Sequence, residues 1–284
     1  MERYEEIEKD IVTTYRKKIW NKFIKAIREF EMIQDGDKIA VCISGGKDSM
    51  LLAKCMQELK RHRKMNFELV FLVMDPGYNK INRQKIINNA KLLNIPITIF
   101  ESNIFEAVEK IDDHPCYICA RMRRGHLYRK AKELGCNKIA LGHHFDDVVE
   151  TILMGMLYGA QMQTMMPKLH STYHDGMQLI RPLYFVKEAD IIKWKERNDL
   201  HFIQCACPFT EHCTMCDNGG GGSKREEMKK LLKQLRSVYD KVDMNIYSST
   251  KNVNLNTLIS YVKDGKVHSF MDDYDKNKKN LEKD

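Results

Sequence analysis

The stretch KIAVCISGGKDSMLL, residues 38–52, decides the fold of this chain. Its first half, KIAVCIS (38–44), is a continuous apolar run of the length that forms a buried strand in a parallel sheet. Two glycines follow, and the next residues predict a helix from about 48 to 62. The stretch therefore predicts a strand, a tight turn and a helix in direct succession.

Strands and helices continue to alternate after this unit. We expect further strands at 68–75, 95–102 and 137–143, and helices over 80–93, 120–134 and 146–158. Such alternation predicts an α/β fold, a doubly wound parallel sheet with helices on both faces.

The segments on either side of this core are less regular. Residues 5–32 carry apolar side chains at helical spacing and predict one long helix. Beyond residue 160 we expect a hairpin around Asp175-Gly176, a helix over 187–198, a short strand at 201–205 and a basic helix from about Ser223. The predicted units are an N-terminal helical segment (1–34), the α/β core (35–200), a cysteine- and glycine-rich helical extension (201–270) and a disordered tail (271–284).

Composition excludes several classes of protein. The 284 residues are 43% hydrophobic and 30% charged, and no run of about 18 apolar residues predicts a membrane span. The N-terminus is charged from its second residue and has no apolar signal region, so we expect a cytoplasmic protein. Nine cysteines in a reducing compartment favour metal binding or catalysis over disulfides, and the net charge of +8 favours a polyanionic partner.

The turn SGGKDS, residues 44–49, has the features of a phosphate site. Glycines let consecutive N–H groups point at one anion, and the following helix adds the positive end of its dipole. Lys47 can neutralise phosphate charge, and Ser44 and Ser49 can donate hydrogen bonds. The ordinary P-loop is excluded, because Val41 and Asp48 stand where it needs glycine and Ser or Thr.

This turn resembles the loop of the N-type ATP pyrophosphatases, the PP-loop superfamily, whose fold is adenine nucleotide α-hydrolase-like. The resemblance implies that ATP is split between its α- and β-phosphates to adenylate a substrate oxygen. It also implies nucleotide-binding roles for Ser44, Gly45, Gly46, Lys47, Asp48, Ser49, Asp75 and Gly142.

Three further motifs narrow the resemblance. C-x-x-C-x-R-x-R-R-G (116–125), LGHHFDD (141–147) and RPL (181–183) are similar to those of the tRNA 2-thiocytidine synthetases. That family implies ATP-dependent exchange of a cytidine O2 for sulfur in the anticodon loop of tRNA. It also implies a sulfide source such as a cysteine desulfurase, and it leaves room for a homodimer.

The same resemblance implies a [4Fe–4S] cluster held by Cys116, Cys119 and Cys205. Three thiolates leave one iron open to bind sulfide. The segment CACPFTEHCTMC (205–216) departs from the family pattern, so Cys207, Cys213 and Cys216 compete with Cys205 for the position of third ligand. A structural zinc site formed by Cys213 and Cys216 with the first pair stays an alternative. Cys42, Cys55 and Cys136 are expected to be ordinary buried thiols.

The motif LGHHFDD supplies the remaining candidates for catalysis. The resemblance makes His143 and Asp147 catalytic candidates beside Lys47 and Asp48, with Asp48 or Asp147 positioning Mg²⁺. Either Asp146 or Asp147 is expected to cap the helix that follows.

A run of arginines follows the first cysteine pair. Guanidinium groups suit phosphates, so this basic segment predicts a surface that grips the tRNA backbone. Its members are Arg121, Arg123, Arg124 and Arg129. The rival hypotheses are a PP-loop sulfurtransferase for a tRNA uridine or a small molecule, a tRNA-lysidine-type synthetase, and a non-catalytic tRNA-binding protein with zinc.

Overall fold

The computed structural model describes residues 2–62, 65–109, 115–203, 224–272 and 274. The strands are β1 (Lys38–Ile43), β2 (Glu68–Asp75), β3 (Ile97–Glu101), β4 (Lys138–Ala140), β5 (Lys168–His170), β6 (Gln178–Ile180), β7 (Ser260–Lys263) and β8 (Lys266–Ser269). The helices are α1 (Arg3–Val12), α2 (Asn21–Glu29), α3 (Lys47–Arg61), α4 (Lys80–Leu92), α5 (Ile104–Glu109), α6 (Pro115–Glu133), α7 (Phe145–Gly159), α8 (Glu188–Arg197), α9 (Lys224–Val238) and α10 (Val242–Ser249).

Six strands form one sheet in the order β3-β2-β1-β4-β6-β5. All neighbours are parallel except β5 and β6, which form the antiparallel hairpin predicted around Asp175-Gly176. The chain leaves β1 in one direction through β2 and β3 and returns on its other side at β4. This reversal creates a crevice between the carboxyl ends of β1 and β4, where doubly wound sheets bind ligands. The predicted fold class is confirmed.

Side chains that alternate along β1 hold the layers together. Ile39, Val41 and Ile43 lie in the larger apolar core, which also contains residues of α1, α2, α3, α7 and α8. The smaller Ala40 and Cys42 face the opposite way, into a core shared with α6. Because β1 is buried on both faces, its sequence reads as an uninterrupted apolar run.

The N-terminal segment forms two α-helices joined by a π-helical turn, Arg16–Trp20, and not the single helix predicted over 5–32. Its buried positions recur every four residues, from Ile7 and Ile11 to Tyr15, Ile19 and Phe23. In a regular α-helix, four-residue spacing rotates an apolar stripe by about 40° per repeat. The wider π turn corrects this drift, so the whole stripe faces the core.

A buried ion pair ties α1 to α3. The Lys54 side chain is 0% exposed and the Glu8 side chain 3% exposed, and the Lys54 ammonium donates to the Glu8 carboxylate. Lys54 Nζ also donates to Leu93 O at 2.7 Å, and Arg61 reaches the second oxygen of Glu8. Burial lowers the pKa of Lys54, against the opposing pull of Glu8. The charge of the amine is thus compensated only when α1 is in place.

Several local predictions need correction. The helix expected over 120–134 begins five residues earlier, at Pro115. Residues 201–203 form no strand, and the rest of the strand predicted at 201–205 lies outside the described residues. Helix α5 and the β7–β8 hairpin were not predicted. The predicted unit boundaries stay predictions. None of the described helices combines the length and apolarity that a membrane span needs.

Candidate active site

A cavity of about 490 Å³ lies at the crevice between β1 and β4. It brings together side chains from the glycine turn, from α6 and from the segment after β4. Nine residues predicted for the site line it: Ser44, Lys47, Asp48, Ser49, Arg123, Arg124, Gly142, His143 and Asp147.

The turn between β1 and α3 is shaped by Gly45 and by one serine. Gly45 has φ +85°, and a Cβ there would lie 2.6 Å from Ile86 Cγ1 and 2.7 Å from Ile203 Cδ1. Gly46 is the N-cap residue of α3 in an extended conformation. Ser49 Oγ accepts from Ser44 N at 3.2 Å and donates to Gly46 O at 3.0 Å. Gly45 and Gly46 do not line the cavity, but the first residues of α3, Lys47–Ser49, do, so the helix N-terminus lies at the site, as anion binding requires.

Gly142 is required by a close approach between two backbones. A Cβ at this position would lie 3.0 Å from Ser49 N and 3.1 Å from the carbonyl carbon of Asp48. The segment after β4 thus passes directly against the first turn of α3 at Gly142. The glycine sets the distance between the phosphate turn and the histidines that follow it.

Lys47 and Asp48 are part of a charged cluster completed by Glu188. Lys47 Nζ donates to Glu188 Oε1 at 2.8 Å and to Asp48 Oδ2 at 3.2 Å. Burial acts against the charged form of Lys47, but Asp48 and Glu188 outweigh it and raise its pKa. Burial also raises the pKa of Asp48, against the opposing pull of His144 and Lys47. Lys47 thus stays a cation that a phosphate can share.

His143 lines the cavity as a neutral imidazole. Burial, followed by the adjacent Arg181 guanidinium, lowers its pKa to about 4. Arg181 Nε donates to His143 Nδ1 at 3.3 Å. Because a guanidinium can only donate, Nδ1 is the acceptor and the imidazole proton lies on Nε2. His143 can therefore donate one hydrogen bond to a ligand, but it does not titrate near neutral pH.

The helix cap at α7 differs from the prediction. The N-cap residue is His144, whose Nδ1 accepts from Asp147 N at 3.4 Å while Asp147 Oδ2 accepts from His144 N at 2.9 Å. Asp146 does not cap α7; its carboxylate accepts from Glu188 N, at the start of α8, at 2.7 Å and from Arg236 Nη2 at 2.7 Å. A histidine acceptor here replaces the carboxylate that the capping preference favours.

Helix α6 places its arginines in two different environments. Arg123 and Arg124 line the cavity, and Arg123 also hydrogen-bonds the Tyr78 side chain. Arg121 and Arg129 are exposed and do not line it, and Arg129 Nη2 instead contacts His126 Nδ1 at 2.8 Å. The predicted basic surface is thus divided between the cavity and the outside of the helix.

The cysteine pair lies at the start of α6. Cys119 packs against a small apolar cluster of Met74, Ile104 and Val108, and its neighbour Ala120 lines the cavity. Thiolates are stabilised at a helix N-terminus, which fits a ligating role for the pair. The side chain of Cys116 lies outside the described part of the structure, as do Cys205, Cys207, Cys213 and Cys216.

The other predicted cysteines and Asp75 have structural environments. Cys42, Cys55 and Cys136 are buried, as expected, and burial raises the pKa of Cys42 to about 12. Asp75 lies at the end of β2, as predicted, but its Oδ1 accepts hydrogen bonds from Gly77 N at 3.0 Å and from Tyr78 N at 2.7 Å. The structure does not bring Asp75 into the cavity lining.

The carboxylates of the cavity can hold a cation together with a nucleotide, but they do not form a complete metal site by themselves. Among the described residues, no three His, Cys, Asp or Glu side chains converge as a metal site. The buried Asp48 Oδ1 has no hydrogen-bond partner there, and Asp147 is close enough to act on the Asp48 charge. Mg²⁺ bound to a nucleotide needs only one or two protein carboxylates, so this pair fits that ion.

Four residues that line or support the site were not predicted from the sequence. Glu188 and Arg181 were visible only as members of VKEAD and RPL, and Arg225 and Lys229 only as part of a basic helix. No periodicity connects these distant segments with the glycine turn. The RPL motif was the available signal for Arg181.

Comparison with known proteins identifies the family. The PP-loop domain family matches residues 15–207. A tRNA-cytidine(32) 2-sulfurtransferase of Paraburkholderia xenovorans (strain LB400) is 35% identical over 250 residues, which are 87% of this chain and 70% of that protein. The chain belongs to the tRNA 2-thiocytidine synthetase family of PP-loop proteins. The resemblance predicted from SGGKDS, the cysteine–arginine motif and LGHHFDD is confirmed.

Other relatives of this PP-loop protein agree. A tRNA-cytidine(32) 2-sulfurtransferase of Neisseria meningitidis serogroup C (strain 053442) is 41% identical over 183 residues, 63% of this chain. The match spans only 57% of the Neisseria protein. The fold is similar to that of the U34-tRNA thiolase NcsA from Methanococcus maripaludis, solved with its [4Fe-4S] cluster, at a TM-score of 0.62. That likeness covers 82% of this chain and 79% of NcsA at 19% identity.

Proposed function

We propose that this PP-loop protein is an ATP-dependent tRNA sulfurtransferase that converts a cytidine of the anticodon loop to 2-thiocytidine. One observation carries the proposal. Four residues of the SGGKDS turn, two of the arginines that follow the cysteine pair and the pair His143–Asp147 line a single cavity. A nucleotide, an RNA phosphate and a base can therefore meet within it. The relatives named for this reaction support the choice of substrate.

The first part of the reaction is adenylation. The N–H groups at the start of α3 and the Lys47 ammonium hold the phosphates of ATP. Asp48 and Asp147 would hold Mg²⁺, which when bound would neutralise negative charge on the leaving pyrophosphate. The cytidine O2 attacks the α-phosphorus, the bond to the β-phosphate oxygen breaks, and pyrophosphate leaves.

The second part replaces oxygen by sulfur. Hydrosulfide attacks C2 of the adenylated base, the C2–O bond breaks, AMP leaves with the former O2, and a thiocarbonyl remains after loss of the proton. Arg123 and Arg124 hold the RNA backbone, since guanidinium groups bind phosphates bidentately. The neutral His143 donates from Nε2 to a ligand oxygen. Modification of such a base requires it to be turned out of its stack.

Sulfide delivery requires a further group. Cys116 and Cys119 on the first turn of α6 would hold a [4Fe–4S] cluster, with Cys205 as the proposed third ligand. When bound, the cluster supplies the sulfide at an open iron. The fit rests on two cysteines one helical turn apart, at a helix N-terminus beside the cavity. The donor that replenishes sulfide, such as a cysteine desulfurase, and assembly as a homodimer stay predictions.

The function is tested by analysing nucleosides in tRNA from a strain that lacks the protein. We expect 2-thiocytidine to disappear and to return with the wild-type gene, but not with a Lys47→Ala gene. Purified protein should convert ATP to AMP and pyrophosphate. Loss of a thiouridine instead would identify the uridine rival, and release of ADP and phosphate would contradict the assignment of the loop.

The metal is tested separately on anaerobically purified protein. About four irons per chain are expected, and Cys119→Ala should remove them while Cys55→Ala should not. Bleaching by Cys207→Ala but not by Cys205→Ala would move the third ligand by two residues. Stoichiometric zinc without iron would refute the proposed sulfide delivery.

A further inference from the structure

Helix α9 reaches the cavity from beyond the residues that the PP-loop domain match covers. The match ends at residue 207, whereas α9 spans Lys224–Val238. Two of its side chains, Arg225 and Lys229, line the cavity together with Lys47 and Asp48. They are four residues apart and therefore lie on one face of the helix.

The helix is fixed in this position by apolar and ionic contacts. Met228 is 3% exposed and Leu232 is fully buried, and α9 packs against α7. Farther along, Arg236 donates to Asp146 Oδ1 at 2.7 Å and to Asp243 Oδ1 at 2.8 Å. Arg225 and Lys229 are thus held at the cavity by contacts made elsewhere on α9.

The neighbouring protein groups occupy only part of the hydrogen-bonding capacity of Arg225 and Lys229. Arg225 lies 3.4 Å from Asp147 Oδ1 and 3.3 Å from Glu150 Oε2, and that glutamate oxygen has no hydrogen bond among the described residues. Burial raises the pKa of Glu150 to about 7, which weakens it as a counter-charge. Lys229 Nζ lies 3.6 Å from Glu188 Oε2, beyond hydrogen-bond distance.

The charge of the cavity depends on these two residues. Its lining contains five Lys and Arg side chains against three carboxylates. Without Arg225 and Lys229 the numbers would be equal, and the cavity would carry no net positive charge to receive a polyanion. The α9 cations therefore supply the excess that a triphosphate requires.

We propose that Arg225 and Lys229 bind the phosphate chain of ATP, so that α9 is a second phosphate-binding element beside the SGGKDS turn. This inference rests on the proposed function, because it takes ATP as the nucleotide. The contacts with Asp147, Glu150 and Glu188 hold the two side chains at the cavity before the nucleotide arrives. On binding, both cations turn their remaining donors to phosphate oxygens, which form shorter charge-assisted hydrogen bonds.

The test compares Arg225→Gln/Lys229→Gln with Lys230→Gln/Lys233→Gln, which removes the same charge from the same helix at exposed positions. The full chain is titrated with ATP, pyrophosphate and AMP. We expect the affinity for ATP and pyrophosphate to fall about tenfold or more in the first variant. Affinity for AMP should change little, and the control should match the wild type. If the double variant folds poorly, Lys229→Gln alone is measured instead and should also weaken ATP binding. Lys229→Arg keeps the charge and should retain ATP affinity.

Three results would overturn the inference. Equal ATP affinity in the double variant and its control would show that α9 does not contact the phosphates. Equal losses for ATP and AMP, together with a lower Tm, would show a structural role. Loss of tRNA affinity with unchanged ATP affinity would assign the cations to RNA. Failure of the wild type to bind ATP is a different outcome, because it refutes the proposed function itself.

Discussion

Replacement of Gly45 by alanine tests whether the glycine turn is shaped by its neighbours or only by its backbone conformation. Gly45 and Gly36 have almost the same φ, +85° and +84°, in the left-handed region. At Gly36 no atom lies within 4 Å of the added Cβ, whereas at Gly45 the Cβ would lie 2.6 Å from Ile86 Cγ1 and 2.7 Å from Ile203 Cδ1. Gly36→Ala is therefore a matched control.

The two variants should differ by the steric cost alone. A left-handed alanine costs about 1–2 kcal/mol at either position. Overpacking against two buried isoleucines adds about 1–3 kcal/mol at Gly45 only. We expect Gly36→Ala to lose about 1–2 kcal/mol of unfolding free energy and Gly45→Ala about 2–5 kcal/mol. The ATP affinity should fall only in Gly45→Ala, because relief of the clash displaces the N–H groups of the turn.

The measurement is urea unfolding of both variants, followed by circular dichroism, with ATP titration alongside. The clash can be relieved independently, because Ile203→Val removes the methyl carbon at 2.7 Å. Gly45→Ala should accordingly cost less in an Ile203→Val background than in the wild type. Equal losses at the two glycines, with no coupling to Ile203, would refute this description of the turn.

Two other properties of the site can be measured directly. Burial raises the pKa of Glu150 from 4.5 to about 7 and lowers that of His143 from 6.5 to about 4. Protonation of Glu150 on acidification therefore stabilises the fold, whereas protonation of His143 destabilises it. Each effect amounts to about 3 kcal/mol. Between pH 7 and 4.5, unfolding free energies should fall with acid in Glu150→Gln and rise in His143→Asn relative to the wild type; parallel curves would contradict these environments. Charge reversal of Arg123 and Arg124 should weaken tRNA binding and reduce the slope of log K against log salt by about 1–2, checked by filter binding; an unchanged slope would place the RNA surface elsewhere.

The sequence predicted best what depends on neighbouring residues. The apolar run of β1, the glycines after it and the start of α3 form one local unit. This unit places the glycine turn at the carboxyl end of β1, where a doubly wound sheet binds its ligand. The β7–β8 hairpin was missed although its signal was local: Asp264-Gly265 lies between short alternating segments, and both residues have positive φ, as a type I′ turn needs.

The parts of the site that escaped prediction depend on contacts between distant segments. Glu188 meets Lys47 from 141 residues away, and Arg236 meets Asp146 from 90 residues away. The capping of α7 by His144 was missed for another reason. Residue preferences favour aspartate at such a position, but here both aspartates are engaged, one at the third helical residue and one with α8 and α9.

The buried Lys54–Glu8 pair shows that the segment matched by the PP-loop domain family is smaller than the unit that folds. Similarity to the PP-loop family begins at residue 15, after α1 has ended. A chain trimmed to that border keeps the Lys54 hydrogen bonds to Gln57 and Leu93 but loses its counter-charge. Stranding one member of a buried pair costs about 3–5 kcal/mol, a large share of the ~5–15 kcal/mol that holds a typical domain together. The unit that folds stably therefore extends beyond the residues that the PP-loop domain match covers.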